Sequence, residues 1–334
     1  LVGLVLLGVL ALGAAATALS WLLYTEAGLQ WALARAERAA GGRLAVEGPH
    51  GQLAGDVTIG RLRFADPALG LEAKNVIARI HLAALLGGRL ALDPLRADSL
   101  ELVLIDSGKP KGAPPRIPLA VSIGQAQIGR FSLKLDDKYY VARDVQLAHL
   151  ALGPGGTLSA QGAFDFVHER YPAAVTAAVE GTLEHLRLHL ALKLREASAD
   201  VRAVLAPFSP QPVESLEASG GPVDLARFFP DLPRTALSAT LKASRSREGI
   251  AGTLQATNAS AGPLDAGRLP LAGAEARFFT PDLASVQFER LRIALAGGGT
   301  LEGAGRLSAA GFEGRFAATR LDLRALRSTL RETH

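Results

Sequence analysis

The stretch HLRLHLALKL, residues 185–194, puts leucine at every second position: Leu186, Leu188, Leu190, Leu192 and Leu194. The residues between are His185, Arg187, His189, Ala191 and Lys193. Successive side chains of a strand point to opposite faces, so this segment reads as a β-strand with one apolar and one wet face. The same period of two recurs elsewhere. Phe131, Leu133 and Leu135 alternate with Ser132, Lys134 and Asp136, and Leu291, Ile293 and Leu295 alternate with Arg292, Ala294 and Ala296. Turn-forming glycines at Gly153–Gly156, Gly297–Gly299 and Gly303–Gly305 separate such segments. Strands of a helix-covered parallel sheet would be apolar on both faces, so the alternation predicts a largely antiparallel, one-faced sheet. At this strand length the body holds about 25 strands.

Outward from the strands, the first 24 residues, LVGLVLLGVLALGAAATALSWLLY, carry no charged side chain. A helix over them rises about 1.5 Å per residue and matches a hydrocarbon core of about 30 Å. Ala14, Ala15, Ala16 and Ala18 resemble a signal-peptide cleavage site, but the run continues beyond them to Trp21 and Tyr24. Both aromatics suit the interface at the exit of a span, so the run reads as a retained anchor.

Residues 25–40 (TEAGLQWALARAERAA) read as a short helix. Thr25 is its N-cap, Glu26 lies in its first turn, and Gly41–Gly42 end it. Leu29, Ala32, Leu33 and Ala36 share one face. This helix either plugs the end of the following sheet or lies on the membrane surface, where Trp31, Arg35 and Arg38 would suit it. The expected organisation is an anchor at 1–24, a short amphipathic helix at 25–42 and a repetitive β-body at 43–334. Within the body, Ser107–Pro118 reads as an exposed loop. Asp224 and Asp322 stand 98 positions apart as caps of two short helices, with only strands expected between them.

Composition excludes several functions. There is no cysteine among the 334 residues, hence no disulfide framework and no thiolate metal site. The net charge of +4 is spread among interleaved acids, and aromatics are 5% of the chain, which argues against nucleic acid as a partner. His185 and His189 would stand about 13 Å apart on a strand, too far to share an ion. No serine sits in a nucleophile-elbow motif, and GGGTLEGAG (297–305) lacks the lysine and helix of a phosphate loop, so it reads as a turn. The expectation is a non-enzymatic protein with no catalytic residue, metal or cofactor.

Several phrases carry a family resemblance. They are TEAGLQWAL (25–33), GGRLAVEGPHGQLAGDVTIGRLRFAD (41–66) and LEAKNVIARIHLAALLGGRLALDPLRADSLELVLID (71–106), followed by DLARFFPDLP (224–233) and LDAGRLPLAGAEARF (264–278). In this order, after one apolar span, they resemble the N-terminal part of the TamB family, within the AsmA-like, bridge-like lipid-transfer group of bacterial envelope proteins. The resemblance implies a single-pass inner-membrane anchor with a periplasmic body curled into an elongated β-groove, or β-taco. It implies phospholipid carriage from the inner towards the outer membrane. It also implies a TamA-like outer-membrane barrel partner, with outer-membrane protein assembly, as of autotransporters, as the alternative role.

The physical reading supports a groove independently. A wide, one-faced open sheet must curl, split or cover its apolar side, and each lipid methylene buried there contributes about 0.8 kcal/mol. The fold class is therefore mainly β: one N-terminal transmembrane helix, then an elongated, curled, one-faced sheet with a few short helices. Leu133, Leu135, Leu186, Leu188, Leu190, Leu192 and Leu194 are the groove candidates. Trp21, Tyr24 and Trp31 are the membrane-interface candidates. A plain β-sandwich, with the apolar faces packed on each other, is the remaining fold to distinguish.

Overall fold

A computed structural model describes residues 17–66, 69–104, 120–135, 138–167, 172–209, 211–229, 231–282 and 284–330. Strands dominate it, as the alternation predicts. Seventeen are described, fewer than about 25, because several run far beyond the usual five or six residues. The chain divides into two compact units, residues 1–110 with 115–167, and 168–334 with 111–114. In each, neighbouring strands pair in chain order and leave the sheet open.

Most of the anchor expected at 1–24 lies outside the described residues. Residues 17–24 are helical, and among the described residues no helix is long and apolar enough to cross a membrane. The next helix, α1 (Glu26–Ala39), starts where Thr25 accepts a hydrogen bond from the Gly28 N–H at 3.0 Å. Gly28 is required at the junction, because a Cβ there would meet the Leu22 carbonyl oxygen at 2.4 Å. Leu29 and Leu33 of α1 pack on Val57, Ile59, Ala73 and Val76, and Leu29 is fully buried. The helix thus covers apolar sheet surface, as a plug would, while Trp31 on its other side is 52% exposed.

The first unit holds β1 (Leu44–Gly51), β2 (Asp56–Asp66), β3 (Leu69–Ile80), β4 (Arg89–Leu104), β5 (Ala120–Leu135), β6 (Lys138–Leu152) and β7 (Thr157–Val167), with a one-turn helix α2 (Leu82–Leu86) before β4. Pairing is antiparallel except between β4 and β5, which run parallel. The expectation of a largely antiparallel sheet thus has one exception. The loop expected at Ser107–Pro118 falls between these two strands, outside the described residues.

The second unit is an antiparallel meander of ten strands: β8 (Ala173–Thr182), β9 (His185–Lys193), β10 (Ser198–Leu205), β11 (Val213–Val223), β12 (Leu237–Arg245), β13 (Ile250–Asn258), β14 (Leu271–Thr280), β15 (Val286–Leu295), β16 (Thr300–Ser308) and β17 (Gly311–Thr319). Asp224 and Asp322 cap one-turn helices α3 (Leu225–Phe228) and α4 (Leu323–Leu326), accepting from the N–H of Ala226 and Arg324. A 3-10 turn at Leu264–Ala266 also lies between them, so the interval is not strands alone.

Two expectations are corrected here. Gly303 and Gly305 lie inside β16 and not in a turn. A Cβ on Gly303 would meet Phe316 Cδ1 at 2.8 Å, and one on Gly305 would meet Phe312 Cζ at 2.5 Å. These glycines make a floor for rings from the next strand. Leu194 follows the end of β9 and belongs to the turn, where its N–H donates to the Ala197 carbonyl at 2.9 Å.

Candidate functional site: a continuous apolar sheet face

Register carries the leucine face of β9 across the whole second unit. One cross-strand row reads Ala177, Leu190, Val201, Ala218, Leu241, Leu254, Ala276, Leu291, Gly303, Phe316, one residue from each of β8 to β17. The row on one side runs from Val179 and Leu188 to Gly305 and Gly314, and the row on the other from Val175 and Leu192 to Leu301 and Ala318. These three rows of ten contain no polar or charged side chain. The interleaved row on the opposite face reads Thr176, Ala191, Asp200, Ser219, Thr240, Gln255, Glu275, Arg292, Glu302, Ala317. At about 4.8 Å per strand and about 6.8 Å between rows, the apolar band measures about 43 Å by about 14 Å.

Within this unit, no second layer of described residues covers the band. In a sandwich, central leucines fall to a few per cent exposure. Leu186, Leu188, Leu190 and Leu192 are all only half-buried, shaded by their neighbours and not enclosed. The largest fully buried side chain in the described structure is Leu29, on the sheet-facing side of α1. A compact sandwich core is therefore absent from the described residues.

The first unit has the same face with a different internal geometry. One row joins Val46, Leu62, Ala73, Leu100, Phe131, Ala142 and Phe166 across all seven strands. A second joins Val57, Ala78, Leu95, Ala126, Leu147 and Gly162. On each of β2 to β6 the two rows are five residues apart, as in Leu62 and Val57 or Phe131 and Ala126. Side chains five apart on a regular strand face opposite ways, so each strand must insert one extra residue between the rows.

The inserted positions are legible in the backbone. Asn75 of β3 and Asp144 of β6 adopt φ of 50° and 51°. Asn and Asp tolerate this left-handed region better than other side-chain-bearing residues. The Asn75 amide Nδ2 donates to Asp98 Oδ2 at 2.7 Å, tying the bulges of β3 and β4 together. Asn75, Asp98, Gly129 and Asp144 line one shallow cavity of about 420 Å³. Bulges bend and twist a sheet, and a line of them gives it a crease. Beside the crease, Ala126, Ile128, Ala142 and Val145 are buried, the last three packed with Ala97, Leu100, Phe131, Leu147 and Phe164 of the same sheet.

The candidate residues fall as follows. Leu186, Leu188, Leu190 and Leu192 lie side by side on the apolar face of the second unit. Leu194, at its end, lines a cavity of about 610 Å³ with Arg195, Glu196, Arg227 and Thr235. Leu133 lies on the apolar face of the first unit, opposite Leu102 and Tyr140, and Leu135 ends β5. The structure does not bring the two groups together within one unit. Trp21 and Tyr24 lie on the helix over 17–24 and are 45% and 60% exposed. The alanines and glycines of the rows were not among the candidates, and neither were Asn75 and Asp144. Only pairing between strands identifies them.

The wet face carries the charges. Glu72 meets Arg61, Arg63 and Lys74 at 3.1–3.4 Å. Partial burial pushes its carboxyl up, but Arg63 and Lys74 outweigh this and hold it below the usual range. His189 pairs with Asp200 at 2.5 Å, and His185 pairs with Glu214 at 3.2 Å, so the two histidines serve separate pairs. Among the described residues no three His, Asp or Glu side chains are placed to hold a metal ion.

In each unit the described strands form an open β-sheet with one apolar and one ionic face, which defines the class: an open-faced β-protein. Residues 15–154 match the family described as TamB, N-terminal domain, a stretch running from the helical 17–24 segment to the end of β6. The chain resembles the N-terminal part of TamB. No curated protein and no solved structure matches the chain.

Proposed function

We propose that this chain is a non-enzymatic, TamB-like lipid-transfer protein of the bacterial envelope. Residues 1–24 anchor it in the inner membrane, and the apolar sheet face carries phospholipid acyl chains through the periplasm towards the outer membrane. The supporting observation is the set of three apolar rows across β8–β17, over which no second layer of described residues lies within that unit. Each acyl methylene laid on that face contributes about 0.8 kcal/mol, while the headgroup stays at the water-facing margin. A photo-crosslinker at Leu190 is expected to capture phospholipid, whereas one at the adjacent Ala191, on the opposite face, is not. Equal capture at both, or capture of protein alone at Leu190, would refute the conduit.

A second reading makes the chain a periplasmic scaffold, working with a TamA-like barrel to assemble outer-membrane proteins. It would use the edge of an open sheet to pair with an incoming extended strand. In that case crosslinks to client polypeptide concentrate along the sheet edge, and charges placed inside the apolar rows are tolerated.

A further inference from the structure

At one margin of the second unit, the apolar rows run into a charged cavity. Leu194 lies two residues beyond Leu192, and Ala197 two before Ala199, so both keep the parity of the apolar face where β9 turns into β10. There they line the cavity of about 610 Å³, together with four charged side chains, Arg195, Glu196, Asp224 and Arg227. That volume lies within the usual range for a small-molecule site.

The four charges are unequally committed. Asp224 Oδ1 accepts from the N–H groups of Ala226 and Thr235 at 3.2 and 2.9 Å. Arg227 stands 2.7 Å from Glu196 and 3.7 Å from Asp224, so it is neutralised within the wall. Arg195 is exposed and makes no ion pair among the described residues. Glu196 meets Arg227 through Oε1, and its side chain remains 66% exposed. The wall therefore sums to zero charge, yet it keeps an unspent guanidinium next to an accessible carboxylate.

A ligand entering from the apolar rows brings its acyl chains with it. Arg195 suits a phosphate, because a guanidinium gives charge-assisted hydrogen bonds to phosphate oxygens. Glu196 suits an ammonium and repels a headgroup that carries only negative charge. We infer that this cavity is a headgroup site for zwitterionic phospholipid, with the phosphodiester on Arg195, the ammonium on Glu196 and the acyl chains laid from Leu194 along the apolar rows. The site depends on those rows being acyl-chain surface, as proposed above, and adds the headgroup class that they admit.

The full 334-residue chain, reconstituted into vesicles of equal parts phosphatidylethanolamine and phosphatidylglycerol, tests it. A photo-crosslinking residue replaces Leu194 in one preparation and Leu190 in another, and mass spectrometry identifies the lipid captured at each. Capture at Leu194 is expected to favour phosphatidylethanolamine several-fold. Arg195→Gln is expected to lower capture at Leu194 several-fold and to leave capture at Leu190 in place. Glu196→Gln is expected to keep capture at Leu194 but to bring the two lipids towards the supplied ratio. Both substitutions fall at exposed turn positions, and circular dichroism confirms folded strands. Equal capture of the two lipids at Leu194 in the unsubstituted wall overturns the inference. So does capture there that is indifferent to Arg195→Gln, or phospholipid at Leu190 with none at Leu194. Phospholipid at neither position refutes the conduit itself, and the headgroup site falls with it.

Discussion

Asn75 donates from Nδ2 to Asp98 Oδ2 at 2.7 Å, and this bond joins two strands at the point where each changes the parity of its apolar residues. Asn75 also holds φ of 50°, which costs most side chains about 1 kcal/mol or more. Asn75→Ala is therefore expected to destabilise the first unit by about 1–2 kcal/mol. Asn75→Gly, which relaxes the backbone and loses only the hydrogen bond, is expected to cost less. Urea unfolding checks both, and equal losses would mean that the left-handed backbone is not the source.

Leu29 fixes α1 to the sheet. It is fully buried against Val57, Ile59, Ala73 and Val76. Leu29→Ala is expected to cost about 2–4 kcal/mol and to expose the amides of α1 to hydrogen exchange. Trp31→Ala on the opposite, exposed side is expected to leave stability nearly unchanged. Comparable losses from the two variants would contradict this packing.

The alternation at residues 185–194 made one sheet face legible, because period two needs no knowledge of neighbouring strands. Thr25 likewise marked the start of α1, since a cap is a local feature. The crease in the first unit was not legible. Leu62 and Val57, five apart, look like a broken pattern until β1 and β3 show both residues in apolar rows. Gly303 and Gly305 read as a turn because the rings that need them, Phe316 and Phe312, come from another strand. The parallel pairing of β4 with β5 was hidden for the same reason, as each strand alone shows only its own alternation.

Gly305 sits under Phe312, with its missing Cβ 2.5 Å from the ring and 2.6 Å from the Glu313 carbonyl oxygen. One added methyl group must displace both, so Gly305→Ala is expected to lower stability by about 1–3 kcal/mol. Gly298→Ala offers the contrast, because a Cβ there meets nothing within 4 Å, although its φ of 89° adds backbone strain. Thermal melts compare the two, and a milder effect at Gly305 would dismiss the ring floor.

Acid is expected to weaken the fold through the wet face. Partial burial opposes the shift at Glu72, but Arg63 and Lys74 set it, while His189 lowers Asp200 and Ser328 lowers Asp265. Carboxylates held below their unfolded values stabilise the fold at pH above about 4 and lose that contribution as pH falls through their folded values. The melting temperature is expected to stay flat from about pH 8 to 5 and to fall below about pH 4. Glu72→Gln should flatten part of that fall. A melting temperature that rises on acidification would reverse the assigned sign.

Whether the apolar rows of β8–β17 hold acyl chains is measured directly by the phospholipid that co-purifies with the chain. Leu190→Asp puts a carboxylate into the middle row, between Ala177 and Val201, at a half-buried position whose fold does not depend on a covering layer. Ala191→Asp puts the same group on the opposite face, outside the apolar rows. Phospholipid per protein, quantified by mass spectrometry, is expected at wild-type content in Ala191→Asp and several-fold lower in a folded Leu190→Asp. Equal content in the two variants would contradict it.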